Sequence, residues 1–201
     1  MPWLQFFVEA IGSLEPRMQL AMQAVGCREN WLQTEIMMFA AARNISVWTN
    51  TERLVRPDRT LDRRGKYDLS SYEDDSENAA TTMVAEIKIM DGYFSPKCLV
   101  GGTAQWRDFI PKGEARRYIT PDEIRAADHG EWGLIPDAAR LLRHSCKNRY
   151  LILVLLDRGT DQMTKSQLQL HAAMTGVTFV DDPAKEVART FDDFTVKVWS
   201  L

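Results

Sequence analysis

The chain is expected to fold as an α/β domain in which helices flank a mixed central β-sheet. Three observations lead there. The run TTMVAEIKIM at 81–90 alternates between an apolar and a mixed face, as a strand with one side on a core does. The run YLILVLL at 150–156 is continuously apolar, the pattern of a strand covered on both faces. Helix-like segments lie before and between them, and strands alternating with helices build layered α/β domains.

With 201 residues, 45% of them hydrophobic, the chain has enough material for one domain with a proper core. We divide it into a helical N-terminal extension (1–28), a core (29–160) and a C-terminal helix with strands (161–201). No apolar run approaches the ~20 residues that span a bilayer. The start, PWLQFFVEAIGSLEPR, lacks a basic leader and is interrupted by Glu9, so no signal peptide is expected. Three scattered cysteines, Cys27, Cys98 and Cys146, give neither a disulfide framework nor a zinc motif and suit a reducing cytoplasm.

Residues 3–25 read as helical, with a break near Gly12–Pro16. The segment 28–44 contains neither Gly nor Pro and is the clearest helix, with an apolar stripe of Trp31, Leu32, Ile36, Met38, Phe39 and Ala42. Glu35 falls near the middle of that stripe, where a carboxylate is costly unless paired or coordinated. Residues 45–55 are β-like. The segment RLVRPDRTLDRRGK that follows carries six basic residues against two acidic ones. Within it, Arg56, Arg59, Arg63 and Arg64 are candidates for phosphate contacts, or for a merely solvated arm. Residues 66–73 and 81–90 flank a turn rich in Asp, Ser and Asn and form a hairpin, with Tyr67 and Leu69 on one face. Further on, short helices are expected at 103–110, from Thr120, at 137–147 and at 163–174, and strands at 150–156, 177–180 and 194–199.

The hairpin carries the functional signal. Met83, Ala85, Ile87 and Ile89 fall on one face of the second strand, and Glu86 and Lys88 on the other. With Glu73 opposite Thr81, Asp68 lands opposite Glu86, on the same face. Two carboxylates side by side repel unless a cation stands between them. A divalent metal meets that need, with the Lys88 ammonium alongside.

Glu35 on an early helix, Asp68 on one strand and Glu86-x-Lys88 on the next resemble the PD-(D/E)XK nuclease superfamily, the restriction-endonuclease-like fold. The resemblance covers roughly 29–90. It implies that Asp68 and Glu86 bind Mg2+ (or Mn2+), that Glu35 completes the metal shell, and that Lys88 orients the attacking water. Two departures stand: Lys66-Tyr67 precede Asp68 where the family often has proline, and QWRDF at 105–109 is at best a relic of a Q-x-x-x-Y motif. The implied activity is metal-dependent phosphodiester hydrolysis, on DNA in preference to RNA, by a protein that acts as a homodimer or with a partner protein, away from membranes. The rival reading is a non-catalytic interaction or regulatory protein on the same fold, a complex subunit or an immunity-type protein. A net charge of −3 and a pI near 5.7 suit that rival. His129, His144 and His171 have no partner at ligand spacing. No nucleophile elbow or P-loop is present.

Overall fold

The computed structural model describes residues 3–18, 28–55, 59–74, 76, 79–90, 134–155, 186–191 and 194–201. Its frame is a six-stranded sheet. In chain order the elements are α1 (Trp3–Gly12), α2 (Arg28–Ala41), β1 (Trp48–Thr49), β2 (Arg53–Val55), β3 (Leu61–Lys66), β4 (Leu69–Tyr72) and β5 (Thr81–Met90). They continue with α3 (Leu134–Arg143), β6 (Arg149–Leu155), β7 (Glu186–Thr190) and β8 (Thr195–Ser200). The sheet order is β1-β4-β5-β6-β8-β7, and β2 with β3 makes a separate two-stranded ribbon. Only β5 and β6 run parallel among the described strand pairs, so the sheet is mixed.

Side-chain alternation assigns the two faces. Met83, Ala85 and Ile87 of β5, Ile152 and Val154 of β6, and Val196 and Val198 of β8 join one core. Phe6, Phe7 and Ile11 of α1 and Leu32, Ile36 and Ala40 of α2 close over it. Val84, Leu151 and Leu153 point the other way and are also buried, because α3 packs across β5 and β6 on that side. Ala138 and Leu141 are its fully buried residues. The apolar run in β6 is explained by cover on both faces.

The β4–β5 register is the one the sequence implies, Leu69 opposite Ala85 and Ser71 opposite Met83. Near the turn an irregularity sets Tyr72, not Glu73, opposite Thr81. At the other end the alternation breaks at Asp68, which lies in a bend between β3 and β4. Tyr67 and Leu69 therefore do not share a face. Leu69 enters the core under α1 and α2, whereas the Tyr67 hydroxyl donates to the Arg140 carbonyl of α3.

Helix α2 differs from expectation in its buried stripe. Leu32, Ile36 and Ala40, spaced by four, form it, together with Gln33. Met38 is 60% exposed. The helix stops at Asn44, whose φ of 56° is left-handed. Asn44 N–H donates to the Ala41 carbonyl and Ile45 N–H to the Ala40 carbonyl, the paired bonds that close a Schellman end.

The basic segment also differs from a plain arm, since β2 and β3 pair within it. Strand β7 was not expected from its sequence, EVART, which has no clear alternation; its pairing with β8 supplies the order. The expected elements at 103–110, from Thr120, at 163–174 and at 177–180 lie outside the described residues. So do the motif relic at 105–109 and Cys27, Cys98, His129 and His171. No helix among the described residues is long and apolar enough to cross a membrane.

If α2 docks through Leu32, Ile36 and Ala40, Ile36→Ala should cost about 2–5 kcal/mol of stability. Met38→Ala should stay within about 0.5 kcal/mol of wild type. Urea unfolding of both variants checks this. Equal losses would reinstate the wider stripe.

Candidate active site

Strand β4 begins only at Leu69, opposite Ala85, while the antiparallel β5 runs on from there to Met90. Beyond Ala85 the outer edge of β5 therefore has backbone N–H groups with no β4 partner, and an unmet buried N–H is costly. Two carboxylates take them. Ile87 N–H donates to Asp68 Oδ2 at 2.7 Å, and Ile89 N–H to Glu29 Oε1 at 3.4 Å. A relay fixes Asp68 from its other side. Asn50 Nδ2 donates to Gln33 Oε1 at 2.8 Å, and Gln33 Nε2 donates to Asp68 Oδ1 at 2.7 Å. Asn50 reaches inward because its own φ is 52°, and its N–H is bonded to the Asp68 carbonyl.

On the α3 side of the sheet, Glu86 is buried, and its Oε1 accepts from Arg140 Nε at 3.3 Å. The Arg140 Nη2 group also bonds Asp137, one helical turn earlier. Lys88 Nζ lies 3.5 Å from Asp137 Oδ2 and 3.2 Å from Glu29 Oε1. Asp68 and Glu86 are close enough to share a hydrogen bond. Four carboxylates, from Glu29, Asp68, Glu86 and Asp137, thus meet two cations, Lys88 and Arg140. Fully ionised, these six groups carry an excess of two negative charges, with Glu86, Asp137 and Arg140 buried and Glu29 at the open edge, 39% exposed.

The titration behaviour follows from that excess. Burial raises Asp68 to about 6, against the bonds from Ile87 and Glu86 that favour its anion. Burial, then the charges of Asp137 and Asp68, raise Glu86 well above the carboxylate range. A hydrogen bond between two carboxyls needs a proton, and Glu86 is the one that keeps it, since Asp68 already accepts two N–H groups. Burial also raises Asp137, against the pull of Lys88 and Arg140. Desolvation works against the Lys88 ammonium, but Asp137, Glu29 and Asp68 overcome it and hold its pKa above the usual value. Lys88 is therefore a fixed cation, not a base.

Of the sequence candidates, the fold brings Asp68, Glu86 and Lys88 together. Glu35 goes elsewhere. Its carboxylate accepts two bonds from Arg17, at 2.8 and 3.0 Å, because a position two residues from Gln33 lies about 200° around the helix. The glutamate that α2 does bring to the hairpin is Glu29, one turn before Gln33. Sequence reasoning also missed Asp137 and Arg140. In sequence Arg140 belongs to a basic cluster with Arg143, Lys147 and Arg149, and Asp137 carries no signal; only docking of α3 shows that the two face the sheet. Of the four arginines proposed for phosphate contacts, Arg59 is exposed at a left-handed position with φ 65°. Arg56 lies outside the described residues, and the side chains of Arg63 and Arg64 are likewise not described.

Among the described residues, no three His, Cys, Asp or Glu side chains gather tightly enough to hold a metal ion. The acids surround Lys88 and Arg140 instead of a common point. The donor set nevertheless suits a hard divalent cation: the charge excess is two, and Mg2+ uses one or two carboxylates and leaves its other positions to water and phosphate. Asp68 and Glu86 would supply that pair. No family model, curated protein or solved structure matches the chain.

A raised carboxyl pKa means that the folded state holds protons the unfolded chain has lost. This contribution is intact below about pH 4 and disappears as pH rises through about 6, with a span on the order of 3 kcal/mol for Asp68. In chelator, wild type and Glu86→Gln should lose stability in parallel from about pH 4 to above about pH 6, because Asp68 ionises in that range while Glu86 is already neutral. Urea unfolding at the two pH values measures both losses. A loss confined to wild type would mean that Glu86, not Asp68, is the group that ionises there.

Proposed function

We propose that the chain is a metal-dependent phosphodiester hydrolase of the PD-(D/E)XK type, with a restriction-endonuclease-like core, acting on DNA in preference to RNA. The observation that carries this reading is the over-acidic cluster beside Leu69 of β4, where Asp68 and Glu86 lie close to the largely buried Lys88 ammonium. Capping of β5 accounts for Asp68 and Glu29, but stability gives no reason to add Glu86 and Asp137, since apolar packing of similar volume serves as well or better. Charge arranged at a cost to the fold is characteristic of sites with chemical work to do.

Asp68 and Glu86 would hold Mg2+ or Mn2+. When bound, the ion would supply a nucleophilic water near neutral pH and a counter-charge for the phosphoryl oxygens. The chain's own groups have separate tasks. The Asn50–Gln33 relay and the Ile87 N–H fix the Asp68 carboxylate in one orientation, which removes the entropy cost of arranging it at the moment of reaction. On binding such an ion, Glu86 would lose its proton to solvent water. Lys88, permanently charged, orients the water or stabilises the oxyanion through its N–H groups. Glu29 and Asp137 keep that ammonium aimed along β5. The exposed Arg59 is available for a phosphate further along the strand.

The same cluster offers an argument for a non-catalytic subunit or regulatory protein on this fold. Arg140 already pairs with Glu86 and Asp137, and Lys88 with Asp137 and Glu29, so each of these acids has a partner within the fold.

Plasmid and linear DNA incubated with the protein and Mg2+ or Mn2+ separate the two. We expect cleavage that chelator abolishes, and a loss of at least about 100-fold in Glu86→Gln with the fold retained. Lys88 is a poorer probe, because removing a buried cation from between two acids costs about 3–5 kcal/mol and disturbs the fold itself. Wild-type protein as inert as Glu86→Gln under all these conditions would favour the non-catalytic reading.

A further inference from the structure

We infer that the β2–β3 ribbon is an arm that enters the major groove of double-stranded DNA and lays the duplex against the acidic cluster. That role deepens the hydrolase reading above and rests on it for the chemistry.

The ribbon stands apart from the six-stranded sheet. Strand alternation turns Leu54 inward, where it is buried and β2 lies against α3, and turns Arg53 outward, where it is exposed. Arg53 sits directly opposite Lys66, which is also exposed. Residues directly opposite share a face, and like charges there destabilise the pair. Among the described residues no carboxylate forms a salt bridge with either cation, or with the exposed Arg59. Two cations held side by side by the ladder make a seat for an external anion. Between the registered pairs β2 has Leu54 alone, whereas β3 has residues 62–65. Strand β3 therefore bulges, which bends and twists the ribbon.

Shape and composition say what that anion is. From Thr51 to Lys66 the chain has no aromatic residue, so the arm lacks the platforms on which the bases of a single strand stack. A two-stranded ribbon fits the major groove of B-form DNA, about 12 Å wide, whereas that of double-stranded RNA is too deep and narrow to read. At the outer end of the ribbon Leu61 is 55% exposed, an apolar side chain suited to a thymine methyl in the groove. The inner end joins the cluster. Tyr67 N–H donates to the Glu52 carbonyl at 2.9 Å, and Asp68 follows two residues after Lys66. Two residues span at most about 7 Å, roughly two base-pair steps along one strand. A phosphate seated on Arg53 and Lys66 thus brings its near neighbours within reach of Asp68 and Glu86.

Binding measured in chelator, which prevents metal-dependent cleavage, tests the arm. Fluorescence anisotropy compares a labelled DNA duplex, one of its strands alone and the same sequence as duplex RNA; co-sedimentation reads phosphatidylserine vesicles. The DNA duplex should bind tightest. Arg53→Ala and Lys66→Ala should each reduce the slope of log affinity against log salt by about 1. Leu61→Ser should weaken binding and leave that slope unchanged. Arg53→Glu places an acid opposite Lys66, so its urea midpoint should hold or rise while duplex affinity falls about tenfold or more. Equal binding of the single strand, the RNA duplex or the vesicles overturns the groove arm. So does a wild type that fails to bind duplex DNA, or salt slopes unchanged by both alanine variants. Duplex binding of the expected kind without cleavage in Mg2+ or Mn2+ leaves the arm standing and sinks the hydrolase. Cleavage with duplex affinity unaltered in Arg53→Glu does the reverse.

Discussion

The structure depends on one mismatch of lengths. Strand β4 begins only at Leu69 while the antiparallel β5 runs on, so the outer edge of β5 past Ala85 is left without a ladder. Such an edge must be paired, covered or capped. This chain caps it with the carboxylates of Asp68 and Glu29. That solution brings negative charge to a place where burial makes it expensive. Everything else near the site follows from the need to live with that charge: the proton kept by Glu86, the ammonium of Lys88, and the guanidinium of Arg140.

The two faces of the sheet solve different problems. Under α1 and α2 the contacts are apolar and aromatic, with Trp3, Phe6 and Phe7 packed ring against ring. Under α3 the same strands carry Glu86, Lys88 and the buried Lys197 among Leu151 and Leu153. The first face supplies stability and the second uses some of it. The polar face is also tied down near the start of β5, where Glu52 links Thr81 to His144 at the end of α3. That link anchors the helix that carries Asp137 and Arg140. His144 showed no partner in sequence, because Glu52 lies 92 residues away.

What the sequence discloses is what short-range periodicity encodes. The two faces of β5, the pairing of Leu69 with Ala85 and the double burial of β6 follow from alternation and one turn, whereas Asp68, expected opposite Glu86 in the ladder, reaches β5 from a bend outside it. Alternation also misled at Asp68 itself, since a bend there sends Tyr67 to the opposite face from Leu69. Helix α2 was recognisable as a helix but not in its orientation. Its apolar residues lie on more than one side, so a stripe drawn through Met38 and around Glu35 omits Ala40 and passes over Glu29. Asp137 and Arg140 were beyond reach for a different reason. Their significance lies in which side of α3 meets the sheet, and that is decided by contacts between segments far apart in the chain.

This difference in span also sets the order in which the cluster can be assembled. Asp68 meets the β5 backbone across a separation of 19 residues, within one hairpin. Arg140 meets Glu86 across 54. Contacts between near neighbours close sooner than distant ones, because shorter loops lose less entropy on closing. As the chain leaves the ribosome, the acidic hairpin is complete before its arginine has been synthesised. For that interval the acids of the hairpin are without the counter-charge that α3 brings.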